Sequence, residues 1–143
     1  MLIGGHLIDP RNGIHGPRDV AISQGKIAEV AEKIDPAKGR KTVDVSGAYV
    51  VPGLIDLHTH VFIEDPGGWG IYPDMHSFPY GVTTAVDAGT SGWENFEQFK
   101  TTIIDKAQTR VLAFLNVVSN GMGEKAEQTL SEINAERTKE VLL

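Results

Sequence analysis

From Pro52 onward the chain alternates short apolar runs with helical stretches, and that rhythm limits its fold more than any other feature. GLIDLHTH (53–60), GVTTAVDAG (81–89) and RVLAFLNVV (110–118) read as strands, and WENFEQFKTTIIDKAQ (93–108) reads as a helix. Strands that return through helices lie parallel in one sheet, so this part of the chain is expected to be α/β, built of βα units. Functional groups in such sheets collect at the carboxyl ends of the strands. The positions to watch are therefore His58 and His60, then Asp87 to Ser91, then Asn116 to Asn120.

The first of these strands poses the sharpest question. In VVPGLIDLHTHVF (50–62) an apolar run suited to burial ends in two histidines one residue apart. Strand alternation puts His58 and His60 on one face, with Asp56 beside them. A lone His-x-His pair is common on surface strands. Here a Pro-Gly entry, an apolar run and an acid on the same face accompany it, which favours a metal site. In the helix that follows the second strand, Ser91-Gly92-Trp93-Glu94 has the form of a capping box. Phe96, Phe99, Ile103 and Ala107 then recur at helical spacing, so the aromatic residues of FEQFKTTII are expected in the core.

Before Pro52 the pattern is short strands and turns, which sets expected boundaries of 1–51 for a small β domain and 52–143 for the βα part. Within it DVAIS and KIAEVA are expected to pair as a hairpin, with Gly25 supplying positive φ. A polar helical tail is expected from about Glu124. The 143 residues carry 19 Asp and Glu against 13 Lys and Arg, a net charge of -6, with no basic stripe to track phosphates. Nucleic acid is thus an unexpected partner. With no cysteine, a metal would be held by histidine, carboxylate or a modified side chain. The start lacks a signal-peptide pattern and no apolar stretch is long enough for a bilayer, so a cytoplasmic protein with a small-molecule substrate is expected.

At PGLIDLHTH the sequence resembles the amidohydrolase superfamily, in which this motif closes the first barrel strand and its two histidines bind one divalent metal. IGGHLIDPRNGIHGPRDVAISQGKIAEVA (3–31) is similar to that family's amino-terminal β segment, and GVTTAVDAGTSGWENFEQF (81–99) to its second βα unit. The resemblance implies the first βα units of a (β/α)8 metallohydrolase barrel, left incomplete, preceded by a small β-sandwich segment. Ala88-Gly89-Thr90-Ser91-Gly92 after Asp87 looks like the deacetylase branch, which cleaves acyl groups from N-acylated or O-acylated small acids. A cyclic-amide hydrolase of dihydroorotase or hydantoinase type is the alternative, and a non-catalytic remnant or scaffold module is the rival from another class.

The same resemblance implies His58 and His60 as metal ligands, with zinc as the ion. It further implies a second metal bridged by a carboxylated lysine, two more histidines, and an aspartate acting as general acid and base. These last groups are expected beyond Leu143. None of Lys100, Lys106, Lys125 or Lys139 ends a plausible inner strand. A barrel takes about 250 residues, so the isolated chain is expected to be an inactive amino-terminal fragment with open sheet edges, while a full-length protein could be a homo-oligomer. Imidazole ligands suit zinc, which lowers the pKa of bound water to about 7 and polarises a carbonyl.

The remaining polar candidates have a structural reading and a functional one. Asp56 either orients a histidine or accepts backbone amides. Asp87 either faces the cavity or stabilises a turn. Thr90, Ser91 and Gly92 either cradle a substrate carboxylate at a helix amino terminus or, for Ser91, form a cap. Asn116 is a candidate substrate contact. His6, His15 and His76, in turn-rich segments, are expected to be solvated.

Overall fold

The computed structural model describes residues 1–63, 70–122 and 129–143, so Lys125 and the tail's expected start at Glu124 lie outside the described residues. It divides into two compact units, Met1–Pro52 and Gly53–Leu143.

The first unit holds β1 (Leu2–Ile3), β2 (His6–Asp9), β3 (Ile14–Pro17), β4 (Asp19–Ser23), β5 (Lys26–Ala31), β6 (Val43–Asp44) and β7 (Tyr49–Val50). They form one sheet in the order β5-β4-β1-β6 and another in the order β3-β2-β7. The stretches 2–9 and 43–50 each break in the middle, sending one half to each sheet. The second break is made by Asp44, whose Oδ1 accepts from the Ser46 amide at 2.9 Å and the Ser46 hydroxyl at 2.6 Å, bending the chain between β6 and β7.

The expected hairpin is present. β4 and β5 pair antiparallel with Ser23 opposite Lys26. Gln24 and Gly25 take φ of 52° and 72°, the positive pair that matches strand twist in a two-residue turn. Buried Asp19 accepts from the amides of Gly4 and Ile34, each at 2.9 Å. Those bonds, Ile34 first, hold its carboxyl below the usual range. His6 departs from the solvated reading. It lies in β2 rather than a turn, its ring packed edge-on to His15 at 4.9 Å and Tyr49 at 5.4 Å, because the strand pairing sets Tyr49 beside it.

In the second unit β8 (Leu54–Thr59), β9 (Val82–Ala88) and β10 (Arg110–Phe114) form a parallel sheet in the order β10-β9-β8. Helix α1 (Pro73–His76) and a 3-10 turn at Phe78–Tyr80 precede β9, and α2 (Phe96–Phe99) runs into a π turn at Lys100–Ile104 before β10. A 3-10 turn at Leu130–Glu132 leads to α3 (Ala135–Leu142), capped by Asn134 accepting from the Arg137 amide at 3.0 Å.

The core lies between α2 and one face of the sheet. Val61, Phe62, Ala85, Phe99 and Val111 are buried, with Phe96, Ile103 and Ala107 packed on them as the spacing predicts. The π turn, closed by the Asp105 amide on the Lys100 carbonyl at 2.9 Å, brings Ile104 against the same core. Asp74 of α1 accepts from the amides of Gln108 and Thr109 at 2.8 and 2.7 Å, tying α1 to the entry of β10. These amides hold its carboxyl below the usual range.

Two expectations about β8 need correction. The apolar run is largely open rather than buried: Leu54, Ile55 and Leu57 are 50%, 60% and 72% exposed. Among the described residues β8 is the edge of its sheet, paired to β9 alone, and apolar content favours burial without supplying the neighbours that achieve it. Strict alternation also fails, because the register slips between Asp56 and Thr59, placing Asp56 opposite Ala85 and Thr59 opposite Asp87. β8 therefore carries one extra residue between Asp56 and Thr59.

Candidate metal centre

The site forms at the carboxyl end of the sheet. His58 ends the exposed part of β8, and His60 follows buried Thr59. Their rings meet edge to face with centroids 5.5 Å apart, as side chains two apart at a strand end should. Asp56 bonds within its own strand, its Oδ1 accepting from the amide of His58, two residues ahead, at 3.1 Å. It thus shapes the bulge beneath the histidines through the backbone.

Asp87, at the end of β9, is completely buried. One oxygen accepts from the Val61 amide at 2.8 Å and the other from the Thr90 amide at 2.8 Å. The carboxylate thereby fastens the chain just after His60 to the loop after β9. Thr90, itself buried, sets Oγ1 3.0 Å from His60 Nδ1. The sequence pointed to Thr90 as a substrate contact, and no spacing rule could link it to a histidine thirty residues away. The structure places it on the imidazole.

The loop after β9 is joined to the loop after β10 along most of its length. The Asn116 amide donates to the Ser91 carbonyl at 3.0 Å, the Glu94 amide to Ser119 at 2.9 Å, and the Met122 amide to Gly89 at 2.9 Å. The Asn116 side chain donates to the Gly89 carbonyl at 3.2 Å. Gly92 is required by this approach, since a Cβ there would sit 1.9 Å from the Val118 carbonyl oxygen.

The capping box does not form. α2 begins at Phe96, after Asn95, and the Ser91 hydroxyl is buried with no hydrogen-bond partner among the described residues. Tertiary pairing holds 89–94 in the loop, so the first helical turn starts later, with the Phe99 amide on the Asn95 carbonyl at 3.1 Å. Asn95 itself accepts from the Gly92 amide at 2.9 Å and donates to the Asn120 carbonyl at 3.1 Å. Thr90, Ser91 and Gly92 consequently do not stand in the first turn of α2.

Of the lysines considered, Lys100 pairs with Asp105 at 2.9 Å on the helix surface, and Lys106 and Lys139 are exposed away from strand ends. His76 is exposed, its Nδ1 3.1 Å from the Tyr72 carbonyl oxygen. Two adjacent imidazoles, one with a ring nitrogen already engaged, suit two positions around a zinc-like ion. Among the described residues no group of three or more His, Cys, Asp or Glu side chains gathers to complete such a shell.

No family profile matches the chain. It is 39% identical over 100 residues to a deacetylase of Agrobacterium fabrum (strain C58), an alignment covering 68% of this chain and 24% of that protein. Among solved structures, a dihydroorotase superposes with a TM-score of 0.82 at 28% identity, over 98% of this chain and 38% of the other. An adenine deaminase superposes with a TM-score of 0.79 at 31% identity, over 99% and 37%. The chain thus spans about a quarter of the length of the curated deacetylase. Among the described residues no helix is long and apolar enough to cross a membrane.

Proposed function

The chain is a relative of the deacetylases and dihydroorotases of the amidohydrolase family, and from that premise we propose that it carries the first metal-binding strand of a metal-dependent hydrolase. In this reading residues 1–51 are the amino-terminal part of a small β domain. Residues 52–143 are the opening βα units of a (β/α)8 barrel. The observation that carries it is the His58–His60 pair at the carboxyl end of β8, with His60 Nδ1 engaged by Thr90.

His58 and His60 would hold one divalent ion, zinc by donor type. Such an ion supplies Lewis-acid activation of water and of the scissile carbonyl. This chain's own residues supply the frame: Asp87 fastens the strand end, and Thr90 orients the imidazole. The bond cleaved is the amide or ester of an acylated small acid. The DAGTSG stretch after β9 supports this deacetylase-type reading. A cyclic amide is the second reading, favoured by the superposition on a dihydroorotase. Two neutral imidazoles lack a proton-transfer group and bind metal weakly, so the 143-residue chain alone is inactive.

The test is zinc titration of the 143-residue chain beside a His58→Ala, His60→Ala double variant. Weak saturable binding that disappears in the variant is expected. Equal binding by both would remove the metal reading. Assay of a longer polypeptide containing this chain on an N-acylated amino acid and on a cyclic ureide then separates the two substrate classes.

A further inference from the structure

We propose that Thr90 is a positioning residue that fixes His60 with its proton on Nδ1, leaving the Nε2 lone pair for a metal ion. The inference rests on the reading of His60 as a ligand and deepens it.

The geometry leads there step by step. A free histidine side chain in its neutral form prefers the proton on Nε2, which would block that nitrogen as a ligand. A partner that accepts from Nδ1 reverses the preference, and ligating histidines generally have one. Here the hydroxyl of Thr90, 3.0 Å from Nδ1, is placed to be that partner. Its own placement is over-determined. The Thr90 amide is bonded to Asp87 Oδ1 at 2.8 Å, and Asp87 Oδ2 is bonded to the amide of Val61, the residue after His60, also at 2.8 Å.

One buried carboxylate therefore fixes both sides of the imidazole contact. A surface threonine would wander among rotamers. Buried Thr90, with its backbone pinned, presents its oxygen at one place.

The experiment uses the 143-residue chain with 15N-labelled histidine, metal-free and above neutral pH, and reads the His60 nitrogens by long-range 1H–15N NMR. In the unsubstituted chain Nδ1 should show the shift of a protonated nitrogen and Nε2 that of a bare one. Thr90→Val keeps the volume and the amide bond to Asp87 but removes the acceptor, and should move His60 toward the Nε2–H form. Thr90→Ser should restore the original pattern.

Zinc titrated into the same samples should bind about 10-fold or more weakly to Thr90→Val and nearly normally to Thr90→Ser. An Nε2–H His60 in the unsubstituted chain would overturn the proposal. So would Thr90→Val leaving both the nitrogen shifts and the zinc affinity unchanged. Zinc affinity indifferent to His60→Ala would instead sink the metal reading. That outcome appears in the His60→Ala sample, while the nitrogen shifts still report on Thr90.

Discussion

Replacing Asp87 by Asn tests how the end of β8 is held to the loop after β9. The carboxylate accepts from two buried amides, those of Val61 and Thr90, and its side chain is 0% exposed. An asparagine of the same shape has one oxygen and one NH2 group. It can serve one amide, and it must turn a donor toward the other. One charge-assisted bond worth about 1.5–3 kcal/mol is lost, and a buried N–H is left unsatisfied at a further ~1–3 kcal/mol. These terms overlap, so about 2–4 kcal/mol is expected, a large fraction of a typical domain stability of ~5–15 kcal/mol. The direct assay is amide hydrogen exchange at Val61 and Thr90 by NMR. At about 1.4 kcal/mol per tenfold, at least one of the two amides should exchange roughly 30- to 1,000-fold faster. If both exchange within about threefold of the unsubstituted chain, the carboxylate is not what holds the two segments together.

Further outcomes follow from neighbouring features. Gly92→Ala pushes a methyl group into the Val118 carbonyl and should cost about 1–3 kcal/mol, read as a lower urea midpoint; an unchanged midpoint would show that the two loops separate freely. Asp19 and Asp74 both have carboxyls held below the usual range by backbone amides. The stability they contribute is therefore fully present above the unfolded value of about 3.9 and is lost as pH falls through their lower folded-state values. Circular dichroism during acid titration should show Asp19→Asn and Asp74→Asn variants less stable at neutral pH and less sensitive to acid than the parent. Gln24→Asn suits the positive φ of 52° at this hairpin position better than glutamine does. It should stabilise the first unit by up to about 1 kcal/mol, seen as a raised melting temperature.

What was legible in the sequence was local. The Gln24-Gly25 turn, the strands of the second unit and the apolar spacing of Phe96, Phe99 and Ile103 follow from backbone preference and periodicity. Both depend on residues a few positions apart. The misreadings share the opposite character. Ser91 to Glu94 had the letters of a helix start, yet bonds to Ser119 and Asn116 hold that stretch as loop. Leu54 to Leu57 were apolar enough to bury, yet burial depends on neighbours the sheet edge does not provide. The His-x-His pair was visible, but Thr90 as the partner of His60 was not, because a contact across thirty residues leaves no periodic trace. His6 was misread for a similar reason, since Tyr49 reaches it through a distant strand pairing.

The joined loops after β9 and β10 carry a consequence for anyone wishing to re-engineer this end of the sheet. Gly89, Ser91 and Gly92 on one side and Asn116, Val118, Ser119 and Met122 on the other meet largely through main-chain atoms, so the two segments are best handled as one cassette. A graft that lengthens either loop alone would strand the carbonyls and amides of the other. Transplanting both together, with the Asp87 clasp beneath them, keeps the bonds that join them.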